Sequence, residues 1–301
     1  MNHLRSSTAP RVLILLVLAL AATAAHAEGG REATREFFER REDSLRRDDG
    51  WLSLVGLHRL AEGAQSLGSA DDAALRVPER HPAHVGTLER DGRDVVFVAA
   101  DGVEAAVDGD PVERVALVSD AEGDPTVVAS GSLLFHVIER NDTLYLRVKD
   151  RRADLLETFD GVSRWDYEPS LHVRARWVRH DEPHVLDVPN VLGGTDGMTC
   201  HGEVRFTLDG TEYALEPTWQ GDDRWSFMYG DATNGVESYG GGRFLYFDAP
   251  GEDGVIDLDF NQSYNPPCAF TAYSTCPMPP EGNVLPVAIR GGEKTWEPRG
   301  E

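Results

Sequence analysis

From Trp51 onward the chain is cut into short β-branched and aromatic runs parted by Gly, Asp and Pro, and this punctuation constrains the fold more than any other feature. Runs such as Asp94 to Ala99, Thr126 to Ala129, Leu133 to Arg140 and Thr143 to Lys149 have the length of strands and fall short of a helix. Leu133–Ile138 and Thr143–Val148, split by Glu139-Arg140-Asn141-Asp142, predict a hairpin. The texture resumes at His172–Val178, Glu203–Leu208, Glu212–Leu215, Trp225–Tyr229, Arg243–Phe247 and Val255–Phe260. The expected class is mainly β, with two packed antiparallel subdomains, sandwich- or barrel-like, and a short N-terminal helix. That helix is expected over 31–47, a charged and exposed stretch anchored by Phe37, Phe38 and Leu45 and stopped by Gly50. The boundary is placed near 150, where Asp150-Arg151-Arg152 opens a helical stretch that Asp160-Gly161 ends. The expected units are 28–150 and 151–301.

At the N-terminus, Arg5 and Arg11 precede the aliphatic run Val12 to Ala22, and Thr23-Ala24-Ala25-His26-Ala27 follows with small residues in the A-x-A positions. A signal peptide over 1–27, cleaved after Ala27, is expected. A membrane anchor needs roughly 20 apolar residues, about twice this run. The expected product is soluble, periplasmic or secreted, and without a membrane span after cleavage.

Residues 1–27 hold two of the 29 basic residues and none of the 52 acidic ones. Processing therefore deepens the formal charge of −23. Such a field repels phosphate backbones, so nucleic acid is not an expected partner. A small molecule or an envelope component is. The cysteines, Cys200, Cys268 and Cys276, are too few to build the fold. In an oxidising compartment Cys268 and Cys276 are the pair expected to close a disulfide, leaving Cys200 unpaired. With no C-x-x-C and no His at zinc-ligand spacing around them, no metal set is assigned, and no cofactor is expected.

In the first half, Leu60-Ala61-Glu62-Gly63, Leu67-Gly68, Leu75-Arg76-Val77, Gly102-Val103 and Val107-Asp108-Gly109 resemble the strand-and-turn rhythm of forkhead-associated β-sandwiches. That family typically places a phosphate-contacting Arg after the second glycine; here Ser69 stands there, and no Ser-Arg-x-x-His follows. The resemblance implies the sandwich without its phosphopeptide site.

Candidate chemistry concentrates between Trp225 and Lys294. Asp231, Thr233 and Glu237 have the alternate spacing of a calcium loop, but a full loop needs more carboxylates, and the same residues suit a capped turn. Arg243 follows three glycines and leads the apolar run Phe244-Leu245-Tyr246-Phe247. It is expected either to pair with a carboxylate, Glu237 or Asp259, or to face a ligand. Asp259 and Asn261 share a side if the strand continues, with Tyr264 and Asn265 just past its end. Glu237, Tyr239, Arg243, Asp259, Asn261, Tyr264 and Asn265 are therefore the candidate ligand-binding set. Pro266-Pro267 is a candidate cis bond. His136, His172, His180, His184 and His201 are scattered and read as surface or satisfied core residues. No nucleophile elbow, zinc-protease helix, phosphate loop or dinucleotide fingerprint is present.

Asp231 to Arg243, Asp259-Phe260-Asn261, Tyr264-Asn265-Pro266, Cys268-Ala269-Phe270, Cys276-Pro277, Pro279-Pro280, Asn283 and Gly292-Glu293-Lys294 closely resemble the bacterial and archaeal family known as domain of unknown function 1684. A thinner likeness reaches back to Gly50-Trp51-Leu52 and Val55-Gly56-Leu57. Gln262-Ser263 and Asn283-Val284 stand where the family more often has a basic residue with Ala, and Asn-Arg. The family brings no activity to carry over; the resemblance implies the β fold and functional weight on the C-terminal segment. Two functions stay open. One is a site for a small polar or anionic molecule, with hydrolysis as the default reaction if it is an enzyme. The other is a non-catalytic binding or assembly module in which the Arg, Asp, Asn and Tyr residues form a structural network.

Overall fold

A computed structural model describes residues 28–297, so the expected signal peptide lies outside the described residues. The chain is mostly β, arranged in several antiparallel sheets behind one N-terminal helix. In the first half a six-stranded sheet runs in the order Leu54–Arg59, Thr143–Asp150, Leu133–Arg140, Val128–Ser130, Ala106–Val107, Asp110–Pro111. A five-stranded sheet built around Gly63–Gly68, Gly86–Asp91 and Asp94–Ala99 lies against it. Leu67, Leu88 and Phe97 from one sheet and Phe135, Leu146 and Val148 from the other fill the space between them. The hairpin at 133–150 forms with Asn141 and Asp142 at φ of 50° and 55°, the left-handed pair that a tight two-residue turn requires.

Strand alternation decides what the outer face of this sheet carries. Along Thr143–Asp150, Leu144, Leu146 and Val148 enter the core, so Tyr145, Arg147 and Lys149 point the other way. The second half of the chain lies on that side. It contains a four-stranded sheet, ordered Thr211–Leu215, Thr195–Leu208, His172–Pro189, Val255–Asp259, and a three-stranded one, ordered Trp219–Gln220, Arg224–Tyr229, Arg243–Asp248. Between these sheets a separate hydrophobic cluster forms around Phe206, Phe227, Leu245, Leu258 and Phe260. The sequence anticipated 172–178 and 203–208; the structure extends them into a long hairpin of 18 and 14 residues. A register shift between Arg179 and His184 hid the continuation by breaking the alternation.

The helix occupies 28–45, and the expectation that it is exposed is corrected. Thr34, Phe38 and Leu45 are buried and Arg41 is half-buried, a stripe at helical spacing seated on the second half. Thr34 donates to Asp259 Oδ2 at 3.0 Å, and Arg41 Nε meets Glu293 Oε1 at 2.6 Å. Leu45 then joins Leu52, Phe159, Val162 and Phe270 in a small cluster that ties the helix end to both halves. The short helix near the proposed boundary spans Asp154–Thr158.

Among the described residues every peptide bond is trans, which corrects the cis expectation at Pro266-Pro267. Pro266 is extended at φ −65° and ψ 162°, and Pro267 starts a 3-10 turn, a position where a missing N–H is harmless. No helix among the described residues is long and apolar enough to cross a membrane.

Candidate functional site: a cleft with an unpaired arginine

Helix 28–45, the outer face of the 143–150 strand, the tip of the long hairpin and the loop after Tyr264 enclose a cleft of about 590 Å³. Its size suits a small organic molecule. One wall is aromatic, made by Trp51, Phe244, Tyr246 and Tyr264. Tyr264 lies nearly parallel to Tyr246, centroids 5.9 Å apart at 19°, and to Phe244 at 5.7 Å and 26°. Arg41 covers the Tyr264 ring at 4.3 Å, and burial pushes the Tyr264 phenol well above its ordinary pKa.

Cations lie among these rings. Arg41, Arg140 and Arg147 line the cleft, against the single lining acid Asp196, in a chain where acids outnumber bases 52 to 29. Two of these charges are already matched. Arg41 pairs with the buried Glu293, and Arg140 Nη2 lies 2.8 Å from Asp120 Oδ2. Arg147 is different. It is 6% exposed, its Nη2 donates to Thr275 Oγ1 at 3.0 Å, and its Nε has no hydrogen-bond partner. Among the described residues no carboxylate pairs with it, while Trp51 offers a ring face at 5.6 Å. Burial lowers its pKa to about 10, with Arg140 adding repulsion. It remains charged at neutral pH. Directly across the strand pair, His136 is held neutral, its pKa lowered to about 4 by burial and then by Arg147.

The structure does not bring the seven sequence candidates together. Tyr264 lines the cleft. Arg243 does not; its ligand-facing reading is corrected. It is fully buried beside an equally buried Asp231, with Nη2 to Oδ2 at 2.6 Å. Nη1 donates to the Gly291 carbonyl at 2.5 Å and Nη2 to that of Ile289 at 2.8 Å. Its carboxylate partner is neither Glu237 nor Asp259. Asp231 Oδ1 caps the following turn through Thr233 N–H at 2.8 Å, so the 231–237 segment is a capped turn locked by an arginine rather than a calcium loop. Glu237 instead meets Arg290 on the surface at 2.8 Å, which lowers its pKa.

Asp259 and Asn261 form a clip. Asp259 Oδ1 accepts from the Asn261 backbone and side chain at 3.0 and 2.8 Å, and Asn261 holds Glu168 through both its N–H and its carbonyl. Asn265 is fully buried, its N–H on Glu293 Oε2 at 2.7 Å and its Nδ2 on the Lys294 carbonyl at 2.8 Å. Glu293 is delivered to that spot by Gly292, at φ +80°, where any Cβ would overlap the Ser263 carbonyl. These residues build the frame behind the cleft.

Tyr239 is half-buried beside the thiols of Cys268 and Cys276, and burial raises its pKa. All three cysteines are free thiols in the structure, so the expected bridge is not formed there. Instead Cys268 N–H donates to Cys276 Sγ at 3.2 Å, and Cys276 N–H to Cys268 Sγ at 3.3 Å. The Cys276 thiol, Ser274 Oγ and the Cys276 amide all stabilise a Cys268 thiolate, lowering its pKa to about 6, while Cys276 is driven upward by that neighbour and by burial. Cys276 and Thr275 reach the cleft wall.

Arg147 was missed by sequence reasoning, since in an alternating strand an arginine on the non-core face reads as solvated. What makes it exceptional is the second half of the chain, which covers that face.

No curated protein matches this chain. Among solved structures, an uncharacterised protein of Haloarcula marismortui is 31% identical, covering 47% of this chain and 80% of that one, with a TM-score of 0.39. An FhaA FHA domain, complexed with the intracellular domain of Rv3910, is 19% identical over 31% of this chain and 86% of that one, with a TM-score of 0.22. The residues that frame the cleft from behind, Asp231 through Lys294, fall inside a longer match, and through residues 157–294 the chain belongs to the family described as "Protein of unknown function (DUF1684)".

Proposed function

We propose that this is an exported protein that binds a small organic anion in the cleft. The anionic group, a carboxylate or a phosphate, meets Arg147, and an apolar or aromatic body lies along Trp51, Phe244 and Tyr246. The observation that carries the reading is Arg147, a buried guanidinium whose Nε has no hydrogen-bond partner and which has no carboxylate partner among the described residues. A charge in such a place costs several kcal/mol unless something pairs with it, and a bound anion supplies the missing half. The planar donor fork also matches a carboxylate or phosphate in two-point contact.

Hydrolysis has less support than binding. Asp196 is the single carboxylate of the lining, and among the described residues no paired nucleophile and base stand beside it there. In an oxidising envelope the neighbouring thiols of Cys268 and Cys276 would join as a disulfide and stiffen the loop behind the cleft. Export itself is tested by N-terminal sequencing of the secreted or periplasmic protein, which should begin at Glu28.

Binding is tested by thermal unfolding and calorimetry with aromatic carboxylates, aryl phosphates and their neutral amide or alcohol analogues. A ligand of the native state stabilises it by about 2.7 kcal/mol at one hundred times its Kd. The charged compounds should raise the midpoint, the neutral analogues should not, and Arg147→Met should abolish the response. Equal responses to charged and neutral compounds, or an undiminished response in the variant, would sink the reading.

A further inference from the structure

Away from the anion cleft, four side chains of metal-binding type meet at the middle of the long hairpin. They are His180, His184, Cys200 and Glu216, and each offers one donor atom within 4.8 Å of all the others. They come from three strands or strand ends, which is why linear spacing around the cysteines did not reveal them.

The register shift makes the cluster. Arg179 lies opposite Gly202 and His184 opposite Cys200, so His180, Asp181, Glu182 and Pro183 together face the single residue His201. Such a bulge bends the strand and re-aims its side chains. Here it brings the His180 ring to 5.0 Å from that of His184. Because His184 and Cys200 are direct cross-strand partners, their side chains emerge on one face. Glu216, just beyond the Thr211–Leu215 strand, completes the set. Its Oε1 lies 3.0 Å from His180 Nε2 and 3.1 Å from His184 Nε2.

Glu216 is held in position from behind. Asn283, fully buried, accepts its N–H at 2.9 Å and donates to its carbonyl at 2.8 Å. A residue of the family motif thus fixes the backbone of a residue outside it. Supporting contacts of this kind are what orient the ligands of a metal site.

We propose that His180, His184, Cys200 and Glu216 form a four-ligand site for a zinc-class divalent cation. Donors bound at about 2.0–2.3 Å in a tetrahedron stand roughly 3.3–3.8 Å apart. The two histidine–glutamate distances are already close to that, and the widest separation exceeds it by an amount that side-chain rotation covers. Two imidazoles, a thiolate and a carboxylate favour zinc or cobalt over calcium or magnesium, which take oxygen ligands. One thiolate and one carboxylate also neutralise a dication, and the thiol proton passes to solvent when the metal binds. With four protein donors the site is closed, and its role is to hold the hairpin. Val188, Asp196 and Met198 at the outer part of that hairpin line the cleft, so the metal would brace a cleft wall whether or not an anion occupies it.

The test uses the tag-free chain, reduced and freed of metal with a chelator, then titrated with zinc against a chromophoric chelator and with cobalt(II) as a spectroscopic probe. The expected result is about one metal per chain, with cobalt showing tetrahedral d–d bands and a thiolate charge-transfer band. Cys200→Ser should remove that band, His184→Gln should weaken zinc binding at least about tenfold, and a Cys268→Ser, Cys276→Ser double variant should retain both. Should Cys200→Ser fail to fold, zinc protection of Cys200 from alkylation in the unaltered chain, read by mass spectrometry, decides the matter. Absence of tight binding, a charge-transfer band that survives Cys200→Ser, or a Cys200 that zinc does not protect would overturn the proposal. None of these readouts involves Arg147, so this site and the anion cleft stand or fall separately.

Discussion

Arg243 and Asp231 face each other at 2.6 Å with both side chains fully removed from water. Removing one member of such a pair strands the other as an uncompensated buried charge, which costs about 3–5 kcal/mol. Arg243→Ala also leaves the carbonyls of Gly291 and Ile289 without a donor. Urea denaturation should therefore show a loss of that size, with a similar loss for Asp231→Ala. A change under about 1 kcal/mol would mean that the pair does not hold the C-terminal half together.

The second buried arginine should respond in the opposite sense. Arg147 has no carboxylate to strand, so Arg147→Met removes a desolvated charge and keeps most of its apolar volume. In ligand-free protein its stability should be unchanged or about 1–2 kcal/mol higher. Chemical denaturation of the two variants side by side gives the contrast, and a large loss for Arg147→Met would assign that residue to the structural frame.

Stability should fall in mild acid through His136. Its pKa is lowered from 6.5 to about 4 in the folded chain, first by burial and then by Arg147. The unfolded state therefore binds the proton more readily between those values. The stability present above pH 6.5 is lost progressively down to pH about 4, and the whole step is on the order of 3 kcal/mol. Unfolding free energies measured across that window should show this slope, and His136→Asn should flatten it. An unchanged slope in the variant would place the acid sensitivity elsewhere.

In reduced protein Cys268 should alkylate with a midpoint near pH 6, since its thiolate is stabilised by Cys276, Ser274 and the Cys276 amide. An ordinary thiol titrates at about 8.5. Cys200, raised by burial, should react only at a higher pH than Cys268. Peptide mapping after iodoacetamide pulses at a series of pH values follows each site, and a partial upward shift of the Cys268 midpoint is expected in Ser274→Ala, since Cys276 stays in place.

The parts of this structure that could be read from residues alone are those governed by neighbours in the chain. The 133–150 hairpin was legible because apolar alternation and the Asn141-Asp142 turn agree. The 28–45 helix was legible too, but its seated face was not, because Thr34 and Arg41 occupy two positions of the buried stripe as polar residues. Arg243 stood out through the glycines before it, yet its partner, Asp231, looked like an ordinary turn residue. Of the proposed site, Tyr264 was found and Arg147 was not. Alternation tells which face of a strand a side chain takes, and nothing in the strand says what will cover that face. The metal-type cluster was hidden for a related reason, as a bulge gathered residues whose linear spacing carries no pattern.

One continuous strand, His172–Pro189, pairs with Val255–Asp259 at its start, carries His180 and His184 at its middle, and brings Val188 to the cleft just before its end. At about 3.3 Å per residue it acts as a beam with three attachments. Losing or gaining a single residue between His184 and Val188 would turn every later side chain to the other face. Relatives that keep both the cluster and the cleft should therefore absorb their insertions and deletions in the 190–194 turn or in the bulge. The arm between them can vary at its outward-facing positions, but not in its parity.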